Sequence, residues 1–242
     1  MNNIKRVCVF ASSCNYLDKS YYKTAAEFGK LLAKSGFDMV YGGSSLGLMW
    51  ACAEQVKLNG KQIIGVMPEK LYNMGVFTDS CVNLTVTPCM RSRKAKMDKL
   101  SDAVVALAGG FGTLEELSEM IVQKQLGYNN KPIIILNTNG FYDKLIEFFE
   151  EIISQKFASE KSRKIFFVAK TPSEAIEYLK KYNYTDINVT KEELYKRIKN
   201  RANWLYFLYL FCYFHIIFFE FFLFFSNSFC FFILLNCVIS YF

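Results

Sequence analysis

Three short stretches of this chain carry residue types that could do chemistry together. Gly109-Gly110-Phe111-Gly112-Thr113-Leu114-Glu115-Glu116 holds three glycines in four residues, a hydroxyl and two adjacent carboxylates. Such glycines let the backbone bend sharply and leave no side chains in a ligand's way. The free N–H groups of a helix start then face an anion, with the helix dipole in support. Thr113 adds a hydroxyl donor, and Glu115 and Glu116 sit where a carboxylate can reach back over the bound group. The alternative is a plain strand-to-helix turn, capped by Thr113, with no ligand. Met90-Arg91-Ser92-Arg93-Lys94-Ala95-Lys96-Met97 places four basic residues at a helix start, where positive charge opposes the dipole. A carboxylate from the Glu115/Glu116 turn, or a substrate phosphate, would relieve that cost. The alternative there is a solvated face partnered by Asp98 and Asp102. The third stretch, Gly42-Gly43-Ser44-Ser45-Leu46-Gly47-Leu48-Met49, is a second glycine turn entering a helix. By itself it suits close packing as well as binding. It lacks the G-x-G-x-x-G spacing of a dinucleotide fingerprint, and no G-x-x-x-x-G-K-[ST] of a P-loop occurs.

The elements that must hold these residues read as alternating strands and helices. Apolar runs at Ile4–Phe10, Phe37–Tyr41, Gln62–Met67, Leu84–Thr87, Val104–Ala108, Pro132–Leu136 and Ile165–Val168 read as strands. Helical periodicity runs over Tyr21–Ser35, from the second glycine turn to about Leu58, over Met90–Leu100, from Thr113 onward, and over Tyr142–Gln155 and Pro172–Lys181. Strands apolar throughout, alternating with helices, predict an α/β fold: a Rossmann-like, doubly wound parallel sheet with helices on both faces, plus an apolar C-terminal tail. Ligands in such sheets bind outside the carboxyl ends of the strands. Both glycine turns fall at such ends, as do Ser12 and Ser13 after the first strand, so three sequence-distant loops are expected to line one cleft.

Composition narrows the function classes. The net charge is +7, with 29 basic and 22 acidic residues, which suits phosphate-bearing small molecules or an anionic surface. No basic patch interleaved with aromatics argues for a nucleic-acid groove, so no nucleic-acid partner is expected. None of the eight cysteines forms a C-x-x-C pair, and His215 is the single histidine. A zinc site or a Cys–His nucleophile pair is therefore not expected, and the cysteines read as reduced core thiols of a cytosolic protein. The N-terminal residues read as a strand rather than a signal peptide.

Together the three stretches resemble the Lonely Guy family of phosphoribohydrolases, long labelled lysine decarboxylase-like. Gly109-Gly110-Phe111-Gly112-Thr113-Leu114-Glu115-Glu116 is similar to the family's P-G-G-x-G-T-x-x-E, with Ala108 in place of proline. Met90-Arg91-Ser92-Arg93-Lys94 is similar to its M-x-x-R-K, and Tyr41 to Met49 to its glycine turn, with Ser44 for a third glycine. The resemblance spans about residues 4–182. It implies hydrolysis of the N-glycosidic bond of a nucleoside 5′-monophosphate, giving free base and ribose 5-phosphate, with no metal and no cofactor. It implies Glu116 and Arg93 as catalytic residues. The substrate-binding set it implies is Gly109, Gly110, Phe111, Gly112, Thr113, Leu114, Glu115, Lys94, Gly43 and Ser13. Within that set Gly110, Gly112 and Thr113 hold the 5′-phosphate, Glu115 the ribose hydroxyls, and Lys94 assists with phosphate or nucleotide. It also implies a homodimer. The plant members' substrate-contacting R-E-L glutamate has Met74-Gly75-Val76 in its place, and Val122 and Gln123 stand where they carry a threonine and a tryptophan. The base is thus expected to be a cytokinin or another purine, held differently. The second function class is a carrier of a nucleotide or cofactor on the same fold, without hydrolase activity.

The expected organisation is a catalytic domain over 1–183, a basic linker over 184–203 and a Phe-rich tail over 204–242. From Trp204 onward there is one acid, Glu220, and no Lys or Arg. Leu205 to Phe225 is long enough to span a bilayer, and the basic run Lys191 to Arg201 would mark its cytoplasmic side. The expectation is a cytoplasmic enzyme, with the tail either a membrane anchor or low-complexity sequence from an inaccurate gene boundary.

Overall fold

The computed structural model describes residues 4–77, 81, 83–184 and 203–209. Seven strands form one parallel sheet: β1 (Arg6–Phe10), β2 (Asp38–Tyr41), β3 (Ile63–Pro68), β4 (Asn83–Thr87), β5 (Ala103–Ala106), β6 (Ile133–Leu136) and β7 (Phe167–Ala169). Their spatial order is β4-β3-β2-β1-β5-β6-β7. Each strand pairs in parallel with its neighbours; Val7 is level with Met39 on one side and Ala103 on the other. The helices are α1 (Lys19–Lys34), α2 (Gly47–Leu58), α3 (Glu69–Asn73), α4 (Met90–Leu100), α5 (Phe111–Gln125), α6 (Asp143–Ser154) and α7 (Pro172–Lys181).

Strand alternation divides the core in two. Val7, Val9, Met39, Tyr41, Val105, Ile134 and Leu136 point to one face, where Phe28 and Leu32 of α1, Cys52 and Val56 of α2 and Leu179 of α7 cover them. Cys8, Phe10, Val40, Val104, Ile133 and Ile135 point to the other, under Met97 of α4 and Leu117 and Met120 of α5. Both faces are thus apolar, which is why the strands read as unbroken hydrophobic runs.

The chain winds outward from β1 to β4, then crosses through α4 to β5 on the far side of β1. The switch point of the sheet therefore lies between the carboxyl ends of β1 and β5, where open α/β sheets bind ligands.

Local differences from the sequence expectation have identifiable causes. Helix α1 begins two residues early because the Asp18 carboxylate accepts from the Ser20 N–H at 2.8 Å, a cap that hydrophobic periodicity does not register. The stretch after Pro68, outside the strands and helices read from the sequence, carries the short helix α3. Strand β7 starts at Phe167, since Ile165 is the C-cap of a 3₁₀ turn over Glu160–Lys164 and has helical rather than extended backbone.

The chain divides into two compact units, Met1–Thr190 and Lys191–Phe242. Within the second unit the described residues, 203–209, form a helix whose side chains from Trp204 to Tyr209 are exposed. No helix among the described residues is long and apolar enough to cross a membrane. Most of the candidate span from Leu205 to Phe225, and the basic run from Lys191 to Arg201, lie outside the described residues.

Candidate active site

Three loops meet at the carboxyl edge of the sheet and are tied by their own backbones. The Leu107 N–H donates to Phe10 O at 2.8 Å, and the Ser12 N–H donates to Ala108 O at 3.1 Å. The Ser12 carbonyl in turn accepts from the Leu48 and Met49 N–H groups of α2. Gly47 makes that crossing at φ +59°, where a Cβ would come within 2.5 Å of Ser12 O. The Tyr142 hydroxyl donates to Leu107 O at 2.8 Å and pins the loop after β5 from the far side.

In that loop the three glycines do different work. Gly109 packs on Thr113: a Cβ at Gly109 would fall 2.1 Å from Thr113 Oγ1. A Cβ on Gly110 or Gly112 would meet nothing within 4 Å, so both face open space. Gly110 is the N-cap of α5 and no side chain caps the helix. The first N–H groups of α5 thus lack intrahelical acceptors, beside glycines that are clear of neighbouring side chains. Thr113, expected as either cap or ligand, is buried against Gly109 and does not cap. Phe111 is almost fully exposed.

Beside this loop, α4 and α5 bring Arg93 and Glu116 together. Arg93 Nη1 donates to Glu116 Oε1 at 2.6 Å, and Arg93 Nε donates to the Val66 carbonyl of β3 at 3.0 Å. Both side chains are only 9% exposed. Burial pushes the Glu116 carboxyl above the ordinary carboxylate range, and the Arg93 guanidinium pulls it part of the way back. The second glycine turn makes room for this pair. A Cβ on Gly42 would lie 2.6 Å from Arg93 Nη2 and 3.0 Å from Met49 Sδ.

Lys94, next to Arg93 on α4, pairs with Glu115 and stands 2.6 Å from Glu119 Oε2. Burial works against its charge, but the two carboxylates outweigh it and hold its pKa above the usual lysine value. Carboxylates of α5 thus relieve Arg93 and Lys94 on α4. Asp98 pairs instead with Lys131, and Asp102 accepts from the Lys5 and Arg6 N–H groups.

The structure brings Arg93, Glu116, Lys94, Glu115 and the Gly109–Thr113 loop together. Ser13 is exposed in the loop after β1, and Leu114 is half-buried on α5. Gly43, buried at φ +75°, packs on Leu84 and Gly65 and leaves contact with Arg93 to Gly42. Sequence reasoning missed Gly42, the Val66 carbonyl and Glu119. The spacing of Glu119 four residues after Glu115 was the available signal for one of them. Of the described cysteines, Cys8, Cys52 and Cys81 are core thiols as expected, whereas Cys14 and Cys89 are exposed.

Comparison with known proteins shows the family of this chain. Residues 49–179 match the family described as "Possible lysine decarboxylase". The chain is 39% identical, over 75% of its length and 75% of the relative's, to the cytokinin riboside 5′-monophosphate phosphoribohydrolase LOG of Oryza sativa subsp. japonica. It is 36% identical to LOG3 of Arabidopsis thaliana, an enzyme of the same name, over 75% of this chain and 84% of that one. Among solved structures, the molybdenum cofactor carrier protein of Chlamydomonas reinhardtii superposes with a TM-score of 0.58 at 24% identity, covering 74% of this chain and 97% of that chain. That likeness is one of fold.

Proposed function

The chain belongs to the LOG family of phosphoribohydrolases, and on that premise we propose that it hydrolyses the N-glycosidic bond of a nucleoside 5′-monophosphate. The products are the free base and ribose 5-phosphate. The observation that carries the reading is the buried Arg93–Glu116 pair beside an open, uncapped glycine turn. A carrier needs the turn; it does not need a carboxylate and a guanidinium buried together next to it.

The roles follow from charge. The N–H groups of the turn, with Gly110 and Gly112 clear of side chains, take the 5′-phosphate at the positive end of α5. As the bond to the base lengthens, positive charge grows on the ribose ring and negative charge on the base. Glu116 stabilises the first and orients the attacking water; Arg93 answers the second or fixes the base's orientation. Water adds its hydroxyl to the sugar carbon, and its proton leaves with the base. Glu115 reaches the ribose hydroxyls.

The base is a cytokinin or a related purine. Met74-Gly75-Val76, Val122 and Gln123 give this chain its own base surroundings. Assembly as a homodimer, and a cytosolic catalytic domain with the tail as a membrane anchor, belong to the same proposal. Incubating the full chain with adenosine monophosphate, N6-isopentenyladenosine monophosphate and other 5′-monophosphates, with free base followed by chromatography, tests the reaction. Base release from at least one of them is the expected result, and release from none overturns it. Sedimentation reads the assembly, and membrane fractionation with an antibody to the tail reads the anchor.

A further inference from the structure

Lys94 lies beside the Arg93–Glu116 pair without belonging to it. Its ammonium holds two carboxylates of α5, Glu115 and Glu119, which stand one helical turn apart. The lysine side chain is 16% exposed against 57% for Glu115, so the shielded end of the cluster is the cation. A cavity with room for about a single water lies between α4, α5 and the sheet, and Lys94, Asp98, Glu116 and Glu119 all line it. Charges facing such a space are poorly screened, and each feels the others more strongly than on an open surface. The two carboxylates take two of the ammonium's three N–H donors and more than offset its single charge, which leaves little attraction for a phosphate.

We propose that Lys94 is a positioning residue: it ties α4 to α5 through Glu115 and Glu119, thereby seating Glu116 against Arg93, and it does not contact the substrate phosphate. The proposal rests on the phosphoribohydrolase reading. The groups facing Glu116 are Arg93, Lys94 and Asp98 from α4, Glu115 and Glu119 from α5, and the Cys8 thiol from β1; Asp98 is itself paired with Lys131. Removing Lys94 leaves the two acids of α5 uncompensated, so Glu116 should become harder to ionise.

The test uses the full chain with Lys94→Met and Lys94→Arg. In Lys94→Met we expect kcat to fall about tenfold or more while KM stays within about twofold. The acidic limb of the pH–rate profile should move to higher pH, and Lys94→Arg should bring it back. Calorimetry with ribose 5-phosphate reads the same question without turnover, and its affinity for Lys94→Met should stay within about twofold of the parent chain. A weakening of about tenfold, or a loss of activity confined to KM with the acidic limb unmoved, overturns the proposal. Should the parent chain release no base at all, the phosphoribohydrolase reading fails, while the ribose 5-phosphate affinities still decide what Lys94 does. If Lys94→Met does not fold, Glu119→Gln loosens the tie and keeps the lysine. It should lower kcat at unchanged ribose 5-phosphate affinity, and an unchanged kcat overturns the proposal.

Discussion

Arg93 Nη1 sits 2.6 Å from Glu116 Oε1, joining α4 to α5 at the carboxyl edge of the sheet, and the same guanidinium is anchored to the Val66 carbonyl of β3. Two helices and a strand thus agree on the position of one carboxylate. Glu116→Gln keeps the shape and removes the charge. Base release should fall by about 100-fold or more, while calorimetry still detects nucleotide binding. Undiminished release would remove Glu116 from its assigned role.

Arginine is required at position 93 by its fork. A lysine gathers its donors at one point, whereas Val66 O and Glu116 Oε1 are met by two separate guanidinium nitrogens, Nε and Nη1. Arg93→Lys should therefore cost most of the activity. Arg93→Met leaves a buried carboxylate without its partner and should cost about 3–5 kcal/mol of stability in denaturant melts. Adding Glu116→Gln to Arg93→Met should recover much of that stability, since no buried charge then remains unpaired.

The raised pKa of Glu116 sets the pH dependence. Its ionised form does the work, so activity should climb with pH along an acidic limb lying above the ordinary glutamate value of 4.5. The sign for stability is the reverse. A carboxyl whose folded pKa is raised favours the folded state while protonated, and that contribution fades as pH rises through the raised value. A rate profile of kcat/KM shows the limb, and residual activity in Glu116→Gln should lack it.

The glycines of the turn separate packing from binding. Gly112→Ala puts a methyl into open space, so melting should be unchanged while KM for a 5′-monophosphate rises about tenfold. Gly109→Ala drives a Cβ into Thr113, and overpacking of that kind costs about 1–3 kcal/mol. Its melting temperature should fall along with activity. Equal behaviour of the two variants would contradict this division.

At the opposite end of α5, Lys124 is buried and donates to Lys131 O at 2.8 Å and to the Tyr182 hydroxyl at 2.9 Å. Burial pulls its pKa down from 10.5 to about 8. Between these values the unfolded chain holds the proton that the folded one has released, so stability should rise with pH across that window. Urea midpoints at pH 8 and pH 10 read the effect, and Lys124→Met should flatten it.

Much of the site was legible because its parts are local. A glycine turn between an apolar strand and a helix announces itself in consecutive residues, and the ends of α4 and α7 follow directly from periodicity and capping. The early start of α1 at its Asp18 cap and the short helix α3 did not, since neither alters the hydrophobic pattern.

The sequence by itself determined the parallel α/β sheet, because every central strand is apolar on both sides and each is followed by a helix. It also placed three small-residue loops at the carboxyl edge of the sheet, and the resemblance to the LOG family pointed to Arg93 and Glu116. Tertiary structure alone decided their partners. Gly42 rather than Gly43 makes room for Arg93, the Val66 carbonyl orients it, and Glu119 joins Glu115 in holding Lys94. Those contacts join residues from different strands and helices, and their geometry depends on how the helices seat against the sheet. No spacing along the chain encodes that seating; it comes from packing two apolar faces at once.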